Sequence, residues 1–137
     1  MINFYIHKDI QKHLPQYHNT HYDQTQISIP ARIGVIASSG GGKTQWLLNF
    51  IAKTNDTWGH IHVVYKNSEP LYDFLLDKLK GKNITFYTRL ADLPLPTDFP
   101  HQDKQQLVVF DDQVNEKNQE IIKELMISGR KIGKGLT

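Results

Sequence analysis

A chain of 137 residues with 39% hydrophobic and 22% charged side chains has the composition of one ordinary globular domain, long enough to bury roughly two-thirds of its unfolded surface. Its formal net charge of +2 is too mild to argue for nucleic acid by itself, and the absence of cysteine excludes disulfides, thiol catalysis and thiolate metal sites. No stretch approaches the ~20 apolar residues that span a bilayer, and Met1–Lys8 lacks a basic-then-apolar leader pattern, so an intracellular domain with no membrane partner is expected.

Residues 1–26 form a polar and aromatic N-terminal segment without a clear period, and residues 27–137 read as the folded core. The spacing of His18 and His21 suits a metal, but no carboxylate or cysteine completes a set there, and no metal is expected. Gln26–Ile29 alternates and predicts a short strand before Pro30. Arg32–Ala37 then predicts the first buried core strand, and Lys43–Lys53 an apolar helix in which Trp46 is expected to join the core.

His60–Tyr65 reads as the next strand. Pro70 suits the first turn of a helix whose Leu71, Phe74, Leu75 and Leu79 share one face, with Gly81 placed to cap it. Ile84–Tyr87 predicts a short strand, and Pro94, Pro96 and Pro100 mark a connector. Leu107–Phe110 is a continuous apolar strand ending in Asp111-Asp112. Asn115 is a plausible N-cap for a helix carrying Ile121, Ile122, Leu125 and Met126, stopped at Gly129. Strands without polar alternation that alternate with helices predict an α/β fold, a mainly parallel sheet flanked by helices.

The chemistry concentrates between Ala37 and Thr44. An apolar strand ends in Ser38, Ser39, Gly40, Gly41 and Gly42, and Lys43-Thr44 opens a helix, the context in which a phosphate-binding loop has mechanical meaning. Backbone N–H groups of the three glycines would wrap a β-phosphate, Lys43 would reach the β- and γ-phosphates, and the Thr44 hydroxyl would ligate Mg²⁺. ATP with Mg²⁺ is the cofactor pair this implies. Asp111 ends a buried strand, where a carboxylate is costly unless a cation needs it, and it is the candidate second Mg²⁺ ligand. Asp112 is the candidate for polarising the attacking water; a turn or helix cap is the structural alternative for the Asp pair. Arg130 reads either as a cation at a helix C-terminus or as a charge offered to a neighbouring subunit's nucleotide or to DNA.

With both motifs placed, the chain resembles the DNA-packaging ATPases of large double-stranded DNA viruses and virophages, a poxvirus-type branch of the FtsK–HerA group of P-loop NTPases. Ile29–Ile36 leading into Ser39–Thr44, Asn67–Tyr72, Ile84–Tyr87, and Val109–Asp112 followed by Ser128–Lys131 carry the likeness. Ala37 stands where that family usually has glycine, and Lys131 where it commonly has histidine. The resemblance implies an ATP-hydrolysing module that translocates double-stranded DNA within a homo-oligomeric ring. Capsid components are implied as further partners, and the virus factory or virion as its place. It also implies a strand beginning at Leu136-Thr137, seated between the phosphate-loop strand and the Asp111 strand and ending in a polar γ-phosphate sensor. On that pattern the chain is expected to lack its central strand. Another P-loop NTPase, helicase-like or a kinase, and a nucleotide-binding fragment without hydrolysis are the alternative readings.

Overall fold

The computed structural model describes residues 8–11, 19–79, 83–100, 103–113, 117, 119–128 and 137. Two one-turn helices, α1 (Lys8–Gln11) and α2 (Tyr22–Thr25), precede the core. The core comprises α3 (Lys43–Lys53), β1 (Trp58–Val64), α4 (Pro70–Lys78), β2 (Ile84–Tyr87), β3 (Gln105–Phe110) and α5 (Glu120–Ser128). The three strands form a parallel sheet in the order β2-β1-β3, an α/β arrangement with helices packed against it. Among the described residues no helix is long and apolar enough to cross a membrane.

Strand β1 is the centre of this sheet because its side chains have partners on both faces. Ile61 and Val63 enter one cluster with Phe50 and Ile51 of α3, Tyr72 and Leu75 of α4, and Leu107 of β3. Val64 enters another with Leu90, Leu93 and Phe99 from the β2–β3 connection and Leu125 of α5. A strand flanked on both faces has no solvent side to make polar, which is why its pattern does not alternate. The proline-rich connector forms two 3₁₀ turns, Leu90–Asp92 and Pro96–Asp98, and seats Phe99 under the sheet.

The end of α3 is fixed by a buried polar relay. Thr54 donates to the Phe50 carbonyl at 2.7 Å and accepts from the Trp58 indole N–H at 2.8 Å. Thr54 is fully buried, so Thr54→Val keeps the volume and leaves the indole donor without its acceptor. The expected cost is about 1–3 kcal/mol, read as a lower urea midpoint at unchanged m-value. An unchanged midpoint would mean that the relay contributes nothing to stability.

Several expectations are corrected. Gln26–Ile29 is not a strand; Gln26 adopts a left-handed conformation (φ 57°) after α2. Arg32–Ala37 is not a strand either. It lies outside the sheet, with Val35 40% and Ile36 97% exposed. An apolar run records a tendency to be buried, whereas a strand also needs a ladder partner, and this run has none among the described residues. On α4 the buried stripe is Tyr72 and Leu75, with Leu79 packed beside it, and Phe74 is 53% exposed beneath the Lys78 ammonium. Trp46 is partly exposed and stacks face to face on Phe50, with centroids 5.3 Å apart. Gly81, Asn115, Gly129 and Leu136 lie outside the described residues.

One edge of β3 pairs with β1. On its other edge Thr137 donates to the Gln106 carbonyl at 2.8 Å and accepts from Val108 N–H at 2.7 Å, the pattern of a parallel bridge. The Gln105 amide also donates to the Thr137 hydroxyl. Thr137 thus sits beside the Asp111 strand, where a following strand was expected to begin.

Candidate functional site

Between this edge of β3 and residues 31–35 runs an open groove with a cavity volume of about 200 Å³. Its walls are mostly apolar, from Ile33, Leu47, Leu107 and Val109 among others. Its polar groups are few: Lys43, Thr44, Tyr72 and Asp111 among them. A concave apolar site with a few convergent polar groups at the C-terminal ends of parallel strands is where α/β proteins place ligands.

The loop that feeds α3 has a shape only glycine allows at several positions. Gly40 and Gly42 have φ of 73° and 83°, in the left-handed region. A Cβ on Gly41 would lie 2.8 Å from both the Ser38 carbonyl oxygen and the Ala37 Cβ. Gly41 N–H donates to that Ser38 carbonyl at 2.9 Å, closing the turn, and Gly42 accepts the first helical hydrogen bond from Trp46 at 2.8 Å. Ser38, Ser39 and Gly40–Gly42 are exposed, at the amino end of an eleven-residue helix whose dipole favours anions. Lys43 folds back across the turn, its Nζ donating to the Ala37 carbonyl at 3.3 Å. The Ala37 acceptor is a backbone carbonyl, so its methyl group plays no part in that bond.

Asp111 follows β3 and is half-buried at the end of the groove. Its Oδ2 accepts from the Tyr72 hydroxyl at 2.6 Å. Thr44 lines the same groove as Tyr72 and Asp111. Burial foremost, then the Asp111 carboxylate, pushes the phenol far above the usual tyrosine range and keeps it protonated as a donor. Asp112 turns the other way: it is exposed and left-handed (φ 53°), a conformation aspartate tolerates better than most residues.

Thr44 and Asp111, predicted from separate motifs, line one groove together with Lys43 and Tyr72. Arg130, Lys131 and Lys134 lie outside the described residues, as does His18; His21 sits 3.8 Å from Asp56. Among the described residues no group of three or more His, Cys, Asp or Glu could hold a metal.

Two participants escaped the sequence. Tyr72 was hidden because the helical-face template fell on Leu71, Phe74, Leu75 and Leu79; its signal was an aromatic with a polar tip two residues after Pro70. Arg32 was read only as the start of a strand. Its guanidinium donates to the Leu125 and Met126 carbonyls at 3.1 and 3.3 Å, serving the last turn of α5.

Comparison with protein-family models, with curated proteins and with solved structures finds no match to this chain.

Proposed function

We propose that the end of the groove is a nucleoside triphosphate site and that the chain is an ATP-binding and ATP-hydrolysing module. The observation that carries this reading is that one groove is lined by Lys43 and Thr44, at the start of a glycine-fed helix, and by Asp111, just after a parallel strand. The backbone of Gly40–Gly42 with the seryl residues 38 and 39 would hold phosphate oxygens, and Lys43 would exchange its Ala37 carbonyl for the β- and γ-phosphates.

The donor chemistry fits Mg²⁺. A hydroxyl and a carboxylate lining one groove are two hard oxygen donors, and Mg²⁺ takes one or two protein oxygens, with phosphates and waters completing its shell. Held by Thr44 and Asp111, such an ion would supply positive charge to offset that developing on the phosphate oxygens. Asp112 is assigned to orient the attacking water, and Arg130 to act on a neighbouring subunit's nucleotide. The wider role, driving double-stranded DNA into a viral capsid from a ring of such subunits, rests on the family resemblance of residues 27–137.

The reading is tested by fluorescent-ATP binding and by ATP turnover with and without double-stranded DNA. DNA-stimulated turnover that needs no acceptor supports the motor assignment, and phosphorylation of an acceptor without DNA replaces it with a kinase. A binding-only module is the second reading, favoured by the exposed Asp112 and by the position of Arg32–Ala37 outside the sheet. It predicts binding of the analogue with no turnover.

A further inference from the structure

We propose that Tyr72 is a positioning residue for the divalent cation, its hydroxyl holding Asp111 Oδ2 so that the carboxylate is aimed at the ion beside Thr44. This rests on the nucleotide-site reading. Tyr72 belongs to neither motif: it comes from α4, whereas Thr44 opens α3 and Asp111 follows β3. Its hydroxyl nevertheless donates to Asp111 at 2.6 Å, and it lines the same groove as Thr44.

A buried tyrosine needs a partner for its hydroxyl, and any acceptor would satisfy that need. Here the acceptor is the Asp111 carboxylate, which follows another element, β3, and lines the groove. The phenol is also a stiff arm. Its ring is buried and lies against Phe86 of β2 and Tyr65 just after β1, with centroids 5.6 and 5.7 Å away. The hydroxyl is therefore carried by a helix packed against the sheet, not by the loop.

A carboxylate can rotate about its terminal bond, and a half-buried one without an anchor would present either oxygen, or neither, to a cation. A hydrogen bond to one oxygen fixes that rotation. Partners behind a metal ligand orient it in this way, and their removal commonly weakens metal binding about 10–100-fold.

The test uses the whole chain with Tyr72→Phe, which keeps the ring and removes only the hydroxyl. Fluorescent-ATP affinity is measured in EDTA and again with Mn²⁺ as the probe cation. The expected result is unchanged affinity in EDTA and a gain on adding Mn²⁺ that is about 10–100-fold smaller than in the wild type. Asp111→Asn should remove most of that gain alone, and Tyr72→Phe should have little further effect on top of it. A urea midpoint for each variant separates loss of folding from loss of aim.

A wild type that gains affinity with Mn²⁺ alongside a Tyr72→Phe variant that gains as much overturns the Tyr72 assignment alone. So does a variant that gains more, since the hydroxyl would then be competing with the ion. Equal losses in EDTA and in Mn²⁺ would make Tyr72 a packing residue only. A wild type that binds no analogue under either condition overturns the site reading and the Tyr72 assignment with it.

Discussion

Lys43→Ala is expected to weaken Mg·ATP binding about 10- to 100-fold and to lower turnover by a further ~10²–10³. The first figure is the value of one charge-assisted hydrogen bond to phosphate, about 1.5–3 kcal/mol, at a tenfold change per 1.4 kcal/mol. The second is the usual effect of removing one preorganised group that meets charge developing in the transition state. Lys43 is only half-buried, and its single described hydrogen bond is the 3.3 Å contact to Ala37, so the substitution should leave the fold intact. Circular dichroism and the urea midpoint check that point; fluorescent-ATP titration and phosphate release check the others. Wild-type turnover in Lys43→Ala would remove the loop from the reaction altogether.

Acidification is expected to destabilise the chain through His62 by about 2 kcal/mol at pH 5 and about 3 kcal/mol at pH 4. His62 is 3% exposed on β1, its Nδ1 and Nε2 each 3.1 Å from the Tyr87 hydroxyl and the Gln106 amide oxygen. Phe99 packs edge-on 4.8 Å away, and His60, itself held to Thr85, lies 4.6 Å away. Burial pushes His62 down from 6.5 to about 4; the bond to Gln106 opposes this, and the neighbouring His60 adds to it. The folded state therefore keeps a neutral imidazole where the unfolded chain takes up a proton. Stability is full above pH 6.5, falls as pH drops through the window from 6.5 to about 4, and levels off below it. Urea midpoints at pH 7, 5 and 4 measure the loss. His62→Gln should flatten that part of the profile, because nothing at the position then titrates. A His62→Gln profile as steep as the wild type would assign the acid sensitivity elsewhere.

The parts of this molecule that were legible in the sequence are those fixed by local rules. Lys43–Lys53 and the proline-started helix at Pro70 follow from helix periodicity, a glycine N-cap and proline at N1. The strands at 58–64, 84–87 and 105–110 follow from apolar runs bounded by turns, with errors of a residue or two at their starts. Arg32–Ala37 failed because ladder partnership is a tertiary fact: the same Ile-Gly-Val-Ile run is a strand only if another strand lies alongside it. Phe74 and Tyr72 exchanged roles for a related reason. Periodicity weighs hydrophobicity and undervalues a ring whose polar tip has a partner to reach. Spacing singled out Lys43, Thr44 and Asp111, and the fold places all three along one groove. The phenol bonded to Asp111 was not legible, since nothing in the spacing announces which helix will lie across the motifs.

The position of Arg32–Ala37 has a thermodynamic consequence for the loop it leads into. Beyond Gly42 the loop is secured by a helix packed on the sheet; before Ser38 it is continuous with a segment that no ladder holds among the described residues. A loop pinned at one end is less preorganised than one pinned at both. Fixing the backbone of each residue costs about 1–2 kcal/mol, and on the proposed reading any ordering of the lead-in would be drawn from the binding energy. On that reading, a chain segment that laddered onto Arg32–Ala37 would raise nucleotide affinity without touching the nucleotide.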